Sequence, residues 1–483
     1  MKNNFLRLIC IGLVLMMALA VFAGCKNDGK EENTTNGNQN DETDDGNLDN
    51  LPSNLNFGGQ VFKVYSWTEA KDLDWYGEFS AELVNGAVYE SREYVAERLG
   101  IVFEHTTQAG HWAGRETFIT NLENSINNGD TFDLVSQYTP AAAVGAMKGL
   151  YQDLNQVGYL DFDQPWWPGN IKESCSIGDK VYFCSGDLSQ TGITEMGTVI
   201  VNLDMWEDLT IAESIYDVVL GYDWTLEKMM TLTLGLTGES ETAADQKYAL
   251  IFGGGGVADH IFYGSGMTFV THDSDGLLQM SEDLETQKAI DLYEDIRELV
   301  TNYADVGKLD SATSIGTTFV ESKALMYMSL RLLDVQTYLL DADFDYAVVP
   351  YPMYDDEQEE YYSIAGYSVS MFSVPVTAAN SDMTGAVMEA MGSSGYETIT
   401  PAVYEQAFRL RYMQNPQNAE LLDIIHDSII YDSGRIFADD IAMYNLFRNA
   451  FYDDYKEWTT LKATYQNGDI WRINIEKVNL KLG

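Results

Sequence analysis

Rings and hydrogen-bonding side chains collect where short apolar runs end. Val61–Tyr65 is followed by Trp67 and Thr68, Ile101–Phe103 by His105 and Thr106, and Phe132–Val135 by Gln137 and Tyr138. Further on, strand ends and turns offer Glu195, His260, Arg331 and Tyr367. For any single ring, local packing is the simpler reading. Taken together, they pair flat apolar faces with side chains that donate and accept hydrogen bonds, a mixture suited to holding a neutral, hydroxyl-rich solute.

Patterns for bond-making chemistry are weak by comparison. The histidines are scattered, with no His-Glu-x-x-His, no paired Cys-x-x-Cys outside the leader and no Gly-x-Ser-x-Gly elbow. Gly253–Gly256 lacks the Gly-Lys-Ser/Thr that completes a phosphate loop, so it reads as a mobile loop delivering Asp259, His260 and Phe262 to a cleft mouth. Asp273, Asp275, Gly276 and Glu282 fall at calcium-loop spacing, but Thr271 holds the first position and a hairpin turn is the simpler reading. Among 75 acidic residues some pair will stand at glycosidase spacing by accident. The expectation is no enzyme activity, no cofactor and no metal.

The elements that must position these residues begin after an atypical N-terminus. Lys2 and Arg7 precede an apolar run, Leu8–Phe22, too short to span a bilayer comfortably. Phe22-Ala-Gly-Cys25 resembles a lipobox, which implies a leader at 1–24 and a lipid on Cys25. Residues 26–54 are polar and small, so 25–55 reads as a disordered tether. The net charge is −47, and removing residues 1–24 takes two bases and no acids, giving −49. Such a surface disfavours nucleic acid and anionic membrane.

From residue 56 the chain is long enough for two lobes. Val61–Tyr65, a helix ending at Gly100, Ile101–Phe103, a helix carrying Phe118, Ile119 and Leu122, and Phe132–Val135 give a β-α-β-α-β order, hence a parallel sheet with ligands at its strand ends. Cys175 and Cys184 flank a hairpin turning at Gly178-Asp179, either as a cross-strand disulfide or as two buried thiols. Thr198–Val201 is a buried strand after the flexible Gly197, and Asn202 or Asp204 caps the next helix. The chain is expected to pass there from one lobe to the other.

The order of Asp133-Leu-Val-Ser136, Gly149-Leu-Tyr-Gln-Asp-Leu154, Gly178-Asp-Lys-Val-Tyr-Phe183 and Val199-Ile-Val-Asn-Leu-Asp-Met-Trp206 resembles the extracellular solute-binding proteins of ABC transporters, closest to the group that includes sugar binders. The resemblance implies an α/β, two-lobe, type II periplasmic-binding-protein-like fold with three hinge crossings. It divides the chain into 56–197 plus 330–364 for the first lobe and 198–329 plus 365–483 for the second. It places a cleft lining at Asp187 to Glu195, the return to the first lobe near Arg331, and a third crossing at Ile364–Ser370. It implies a lipid-anchored monomer on the outer face of a bacterial membrane, passing a small solute, a neutral sugar or oligosaccharide, to permease subunits. A sensor lipoprotein shares the fold, and only a neighbouring permease or a signalling partner would separate it; a surface carbohydrate-active enzyme would add turnover.

Overall fold

The computed structural model describes residues 49–483, except for 72, 239, 241, 243, 244, 310, 341, 413–415, 453, 467 and 468. The leader at 1–24, the lipid site at Cys25 and the tether as far as residue 48 lie outside the described residues. The tether expected to reach residue 55 is held earlier. Asp49 pairs with Arg98 at 2.6 Å between shielded side chains, and Leu51 is buried. That anchor offsets an ordering cost which the composition of 26–54 alone could not meet.

In chain order the strands of the two larger sheets are β1 (Gln60–Trp67), β2 (Ile101–Gln108), β3 (Leu134–Tyr138), β4 (Thr198–Asn202), β5 (Tyr248–Phe252), β6 (Val306–Lys308), β7 (Ala324–Ser329), β8 (Tyr346–Val349) and β9 (Ser370–Ser373). The first sheet runs β9-β3-β1-β2, with β1 parallel to both β2 and β3 and β9 antiparallel to β3. Helix Leu83–Leu99 links β1 to β2 and buries Val84, Val88, Val95 and Leu99, spaced by helical turns. Gly100 ends it in the left-handed region at φ 60. Helix Arg115–Asn127 makes the next connection and buries Phe118, Ile119 and Leu122.

The second sheet runs β6-β5-β7-β4-β8. Its first three strands are mutually parallel, while β4 is antiparallel to both neighbours. Every residue of β4 is buried, and the Asn202 side chain accepts from the Met205 N–H to cap helix Leu203–Asp208, as the crossing stretch requires.

Two expected strand placements are corrected here. The return to the first lobe does not occur after β7 near Arg331. Instead β8 pairs with β4, Val349 opposite Val199 and Ala347 opposite Val201, so the strand within 330–364 belongs to the second sheet. An all-buried strand seals the open edge of β4 there. The return comes at Ile364–Ser370, which leads to β9 in the first sheet, so this crossing exists but runs the opposite way. Residues 365–483 then serve both lobes. Helix Ser381–Tyr412 packs on Leu83–Leu99, and helix Pro416–Asp427 packs on β8. The crossing segments are tied side by side: Met196 bridges Ala365, Ala365 N–H donates to Ile430 O at 3.0 Å, and Gly366 N–H donates to Glu195 O at 2.7 Å. A Cβ on Gly366 would stand 2.6 Å from that same oxygen, so only glycine fits.

Both smaller hairpins form, and the first resolves an alternative. Ser176–Ile177 pairs with Lys180–Val181, and Cys175 and Cys184 are buried free thiols. Val270–His272 pairs with Leu278–Met280, and Asp273 Oδ1 accepts from the N–H groups of Asp275 and Leu277, so this acid closes its own turn.

Candidate functional site

A cleft of about 430 Å³ opens between the strand ends of the two sheets. From the first sheet come Tyr138, the last residue of β3, and His111, just beyond β2. The Tyr138 ring sits 5.5 Å from Trp67, 4.9 Å from His111 and 6.5 Å from Trp112, a continuous aromatic wall. Trp112 extends it to Tyr367 at 5.8 Å, with the Arg115 guanidinium 4.2 Å above the indole. A polar network braces the wall from behind. Trp67 Nε1 donates to Ser370 Oγ at 2.8 Å, which donates to Asp74 at 2.8 Å; Asp74 also accepts from Ser136 and Ser189. Burial raises the Asp74 carboxyl despite these hydroxyls.

The second wall is charged. Helix Gly256–Gly264 presents Asp259 and His260. Asp259 is fully buried and takes Arg435 Nη1 at 2.6 Å and Arg448 Nε at 2.9 Å. Burial alone would raise this carboxyl, but Arg448 and Arg435 together hold it below its ordinary value. Arg435 also stacks over the Tyr367 ring at 4.0 Å. Burial, and then Arg435, push the His260 imidazole down to about 3, so it is neutral at physiological pH. A Cβ at Gly197 would collide with the His260 ring, so the glycine of the first crossing is what lets this histidine reach the cleft.

Arg331, two residues beyond β7, links two acids. Its Nε donates to Asp334 at 2.8 Å, and its Nη1 lies 3.7 Å from Glu195 Oε1. Burial pushes Glu195 up to about 7 against the opposing pull of Arg331. Among the described residues, the His260 Nδ1 and the Tyr367 hydroxyl are buried without a hydrogen-bond partner, and both residues line the cleft. Buried polar atoms of this kind are uncommon and call for a partner.

Of the residues expected to line a site, Tyr138, Glu195, His260, Arg331 and Tyr367 are brought together. Trp67 is not on the surface of the cleft. It ends β1 rather than lying in a loop, and at 2% exposure it forms the layer behind Tyr138. Asp187 is also displaced. It is buried, accepts from Thr400 at 2.9 Å and lies 3.2 Å from His426 Nε2. Its partners line a separate cavity of about 550 Å³ between helices Ser381–Tyr412 and Pro416–Asp427. Burial would lower His426, but Asp187 and Asp427 outweigh it and raise the imidazole to about 10. The segment from Asp187 to Glu195 thus turns its first acid away from the cleft and its last toward it.

Reading strand ends missed His111, Trp112, Arg435 and Arg448. β2 continues to Gln108, so His105 lies within the strand beside Tyr76 and Phe103, and the loop begins later. Arg435 and Arg448 come from the C-terminal helical region, where no local pattern singles them out. The one available signal was Asp259, a buried-type helix position holding an acid that must find cations.

No family model matches the sequence, and neither does any curated protein. Solved structures do match. The galacto-N-biose/lacto-N-biose I-binding protein of an ABC transporter from Bifidobacterium longum, in complex with lacto-N-biose, superposes with a TM-score of 0.57 at 13% identity, over 86% of this chain and 98% of that one. The chain has the two-lobe fold of ABC-transporter solute-binding proteins. The cyclic alpha-maltosyl-1,6-maltose binding protein from Arthrobacter globiformis gives 0.55 at 10% identity, over 88% and 99%. UgpB from Mycobacterium tuberculosis, in complex with glycerophosphocholine, gives 0.52 at 12%, over 88% and 97%. The cavity just described lies where residues from both sheets come together.

Proposed function

We propose that this solute-binding fold captures a small saccharide between its lobes and delivers it to the transmembrane subunits of an ABC importer, without chemical conversion. The observation that carries the reading is the cleft itself. Rings from one sheet face hydrogen-bonding groups from the other, and two of the lining residues, His260 and Tyr367, carry polar atoms with no partner in the protein. A ligand that touches both walls binds the closed form better, so it moves the hinge equilibrium by that differential affinity. The proteins of this fold named above are described with bound lacto-N-biose and with glycerophosphocholine, or as binding a cyclic maltosaccharide.

The working form in this proposal is a monomer, anchored by a lipid on Cys25 to the outer face of the membrane. No helix among the described residues is long and apolar enough to cross a membrane. A Cys25→Ala protein made in a bacterial host should take up no labelled fatty acid and should leave the membrane fraction; equal labelling of both proteins would defeat the anchor. For the binding reading, calorimetry against a sugar and oligosaccharide panel should find a ligand, and excess protein should return it intact. Glu195, an acid pushed up to about 7 in a cleft, favours a hydrolytic second reading. Turnover abolished by Glu195→Gln would replace the transport proposal.

A further inference from the structure

We infer that the saccharide taken by this cleft carries an acidic group, a carboxylate or a phosphate, seated on the arginine wall. The inference rests on the solute-binding reading above and names its substrate class. Arg331, Arg435 and Arg448 all line the cleft. Facing them are Asp259, Asp334 and Glu195. The whole chain has 75 acids to 28 bases, so three guanidiniums converging on one cavity are not a sample of a generally basic surface.

What matters is which donors remain unspent. Among the described residues, Arg331 gives Nε to Asp334, and neither of its Nη groups makes a hydrogen bond within the protein. Arg448 directs Nε and Nη2 at Asp259, leaving Nη1. Arg435 gives Nε to Ala365 O and Nη1 to Asp259, leaving Nη2. Guanidinium nitrogens form their strongest hydrogen bonds to planar or tetrahedral oxyanions. Gly253 and Gly256 bring the N-terminus of helix Gly256–Gly264, the positive end of its dipole, to the same cavity. Glu195 opposes an anion only in part, because burial pushes it up to about 7 and a nearby anion would raise it further.

The chain's overall charge pointed to a neutral ligand, but that charge acts mainly outside the cleft. At physiological salt the field of surface acids is screened within about 8 Å, whereas groups lining a partly dry cavity are screened far less. The cleft arginines therefore set ligand charge, and the surface acids set only the approach.

Calorimetry on the intact protein, with saccharides matched except for the acidic group, tests this: galactobiose against digalacturonate, cellobiose against cellobiouronic acid, glucose against glucose 6-phosphate. The acidic member of at least one pair should bind roughly tenfold tighter than its neutral partner. That preference should shrink as salt rises from about 0.05 to 0.5 M. Arg331→Gln should cut the preference to about twofold, and Arg331→Lys should keep part of it. A preference for the uronates or for the phosphate identifies which group is taken. Neutral members binding as tightly as acidic ones would overturn the inference and leave the solute-binding reading standing. Binding by none of these compounds, together with a hit in a neutral panel, would overturn it equally. No binding in either set would bring down both.

Discussion

The two walls of the cleft solve the same positioning problem by different physics. The first-sheet wall is a stack of rings, Trp67 behind Tyr138 with His111 and Trp112 beside it, held by shape and by one braced indole N–H. The second-sheet wall is a charge cluster in which Asp259 holds Arg435 and Arg448 while Arg331 spans Asp334 and Glu195. A ring wall tolerates small changes, because each contact is worth a fraction of a kcal/mol and no charge is stranded when one goes. A buried charge cluster does not, because removing one member leaves the others uncompensated. The difference implies that stability, pH response and ligand charge depend on the second wall, and that the apolar face offered to a ligand depends on the first.

The largest effect should come from Asp259→Asn. It leaves two shielded guanidiniums without a counter-charge, and by analogy with other buried pairs should cost about 3–5 kcal/mol of folding stability. Urea unfolding measures this; a loss below about 1 kcal/mol would mean that the cluster is not the rigid part of this wall.

A smaller effect should appear in the pH dependence of stability. Glu195 shares its cleft with Arg331, Asp334, His260, Arg435, Arg448, His111 and Tyr138. Its folded-state value of about 7 exceeds the ordinary 4.5, so the folded state binds the extra proton between them. Its contribution to stability therefore falls as pH rises from about 4.5 to about 7, by at most about 3 kcal/mol, and is level above that. Glu195→Gln should flatten this part of the stability profile, and an unchanged slope would locate the proton elsewhere.

Tyr367→Phe separates the two roles of one residue that touches both walls. It removes a hydroxyl with no protein partner and keeps the ring under Arg435. Melting temperature should be unchanged or slightly higher, while ligand affinity drops by about 0.5–1.5 kcal/mol, up to roughly tenfold. If affinity is retained, the hydroxyl is not a ligand contact.

The smallest effect is expected from Trp67→Phe, which keeps an aromatic ring behind Tyr138 and loses the hydrogen bond to Ser370. Stability should fall by about 1 kcal/mol and affinity should stay within about twofold. A large affinity loss would put Trp67 on the surface of the cleft after all.

Much of this molecule is legible along the chain because its signals are local. A run of β-branched residues such as Thr198–Val201 must be buried whichever sheet takes it, and the glycine before it permits a change of direction. Strand ends meet a cleft in a parallel sheet, and of the residues read from strand-end loops and crossings, Tyr138, Glu195, His260, Arg331 and Tyr367 line one cavity. Other features are not local. Alternation and apolarity report that Tyr346–Val349 is buried, not that it pairs with β4 rather than with the first sheet; that choice depends on which edge is open in space. Asp187 and Glu195 lie on one short segment, yet one meets His426 and the other Arg331, because the helix between them turns their side chains to opposite sides. Arg435 and Arg448 are separated from Asp259 by 176 and 189 residues. Their positions are set by the cost of burying Asp259 without a counter-charge, a long-range electrostatic condition that leaves no periodicity in the sequence to read.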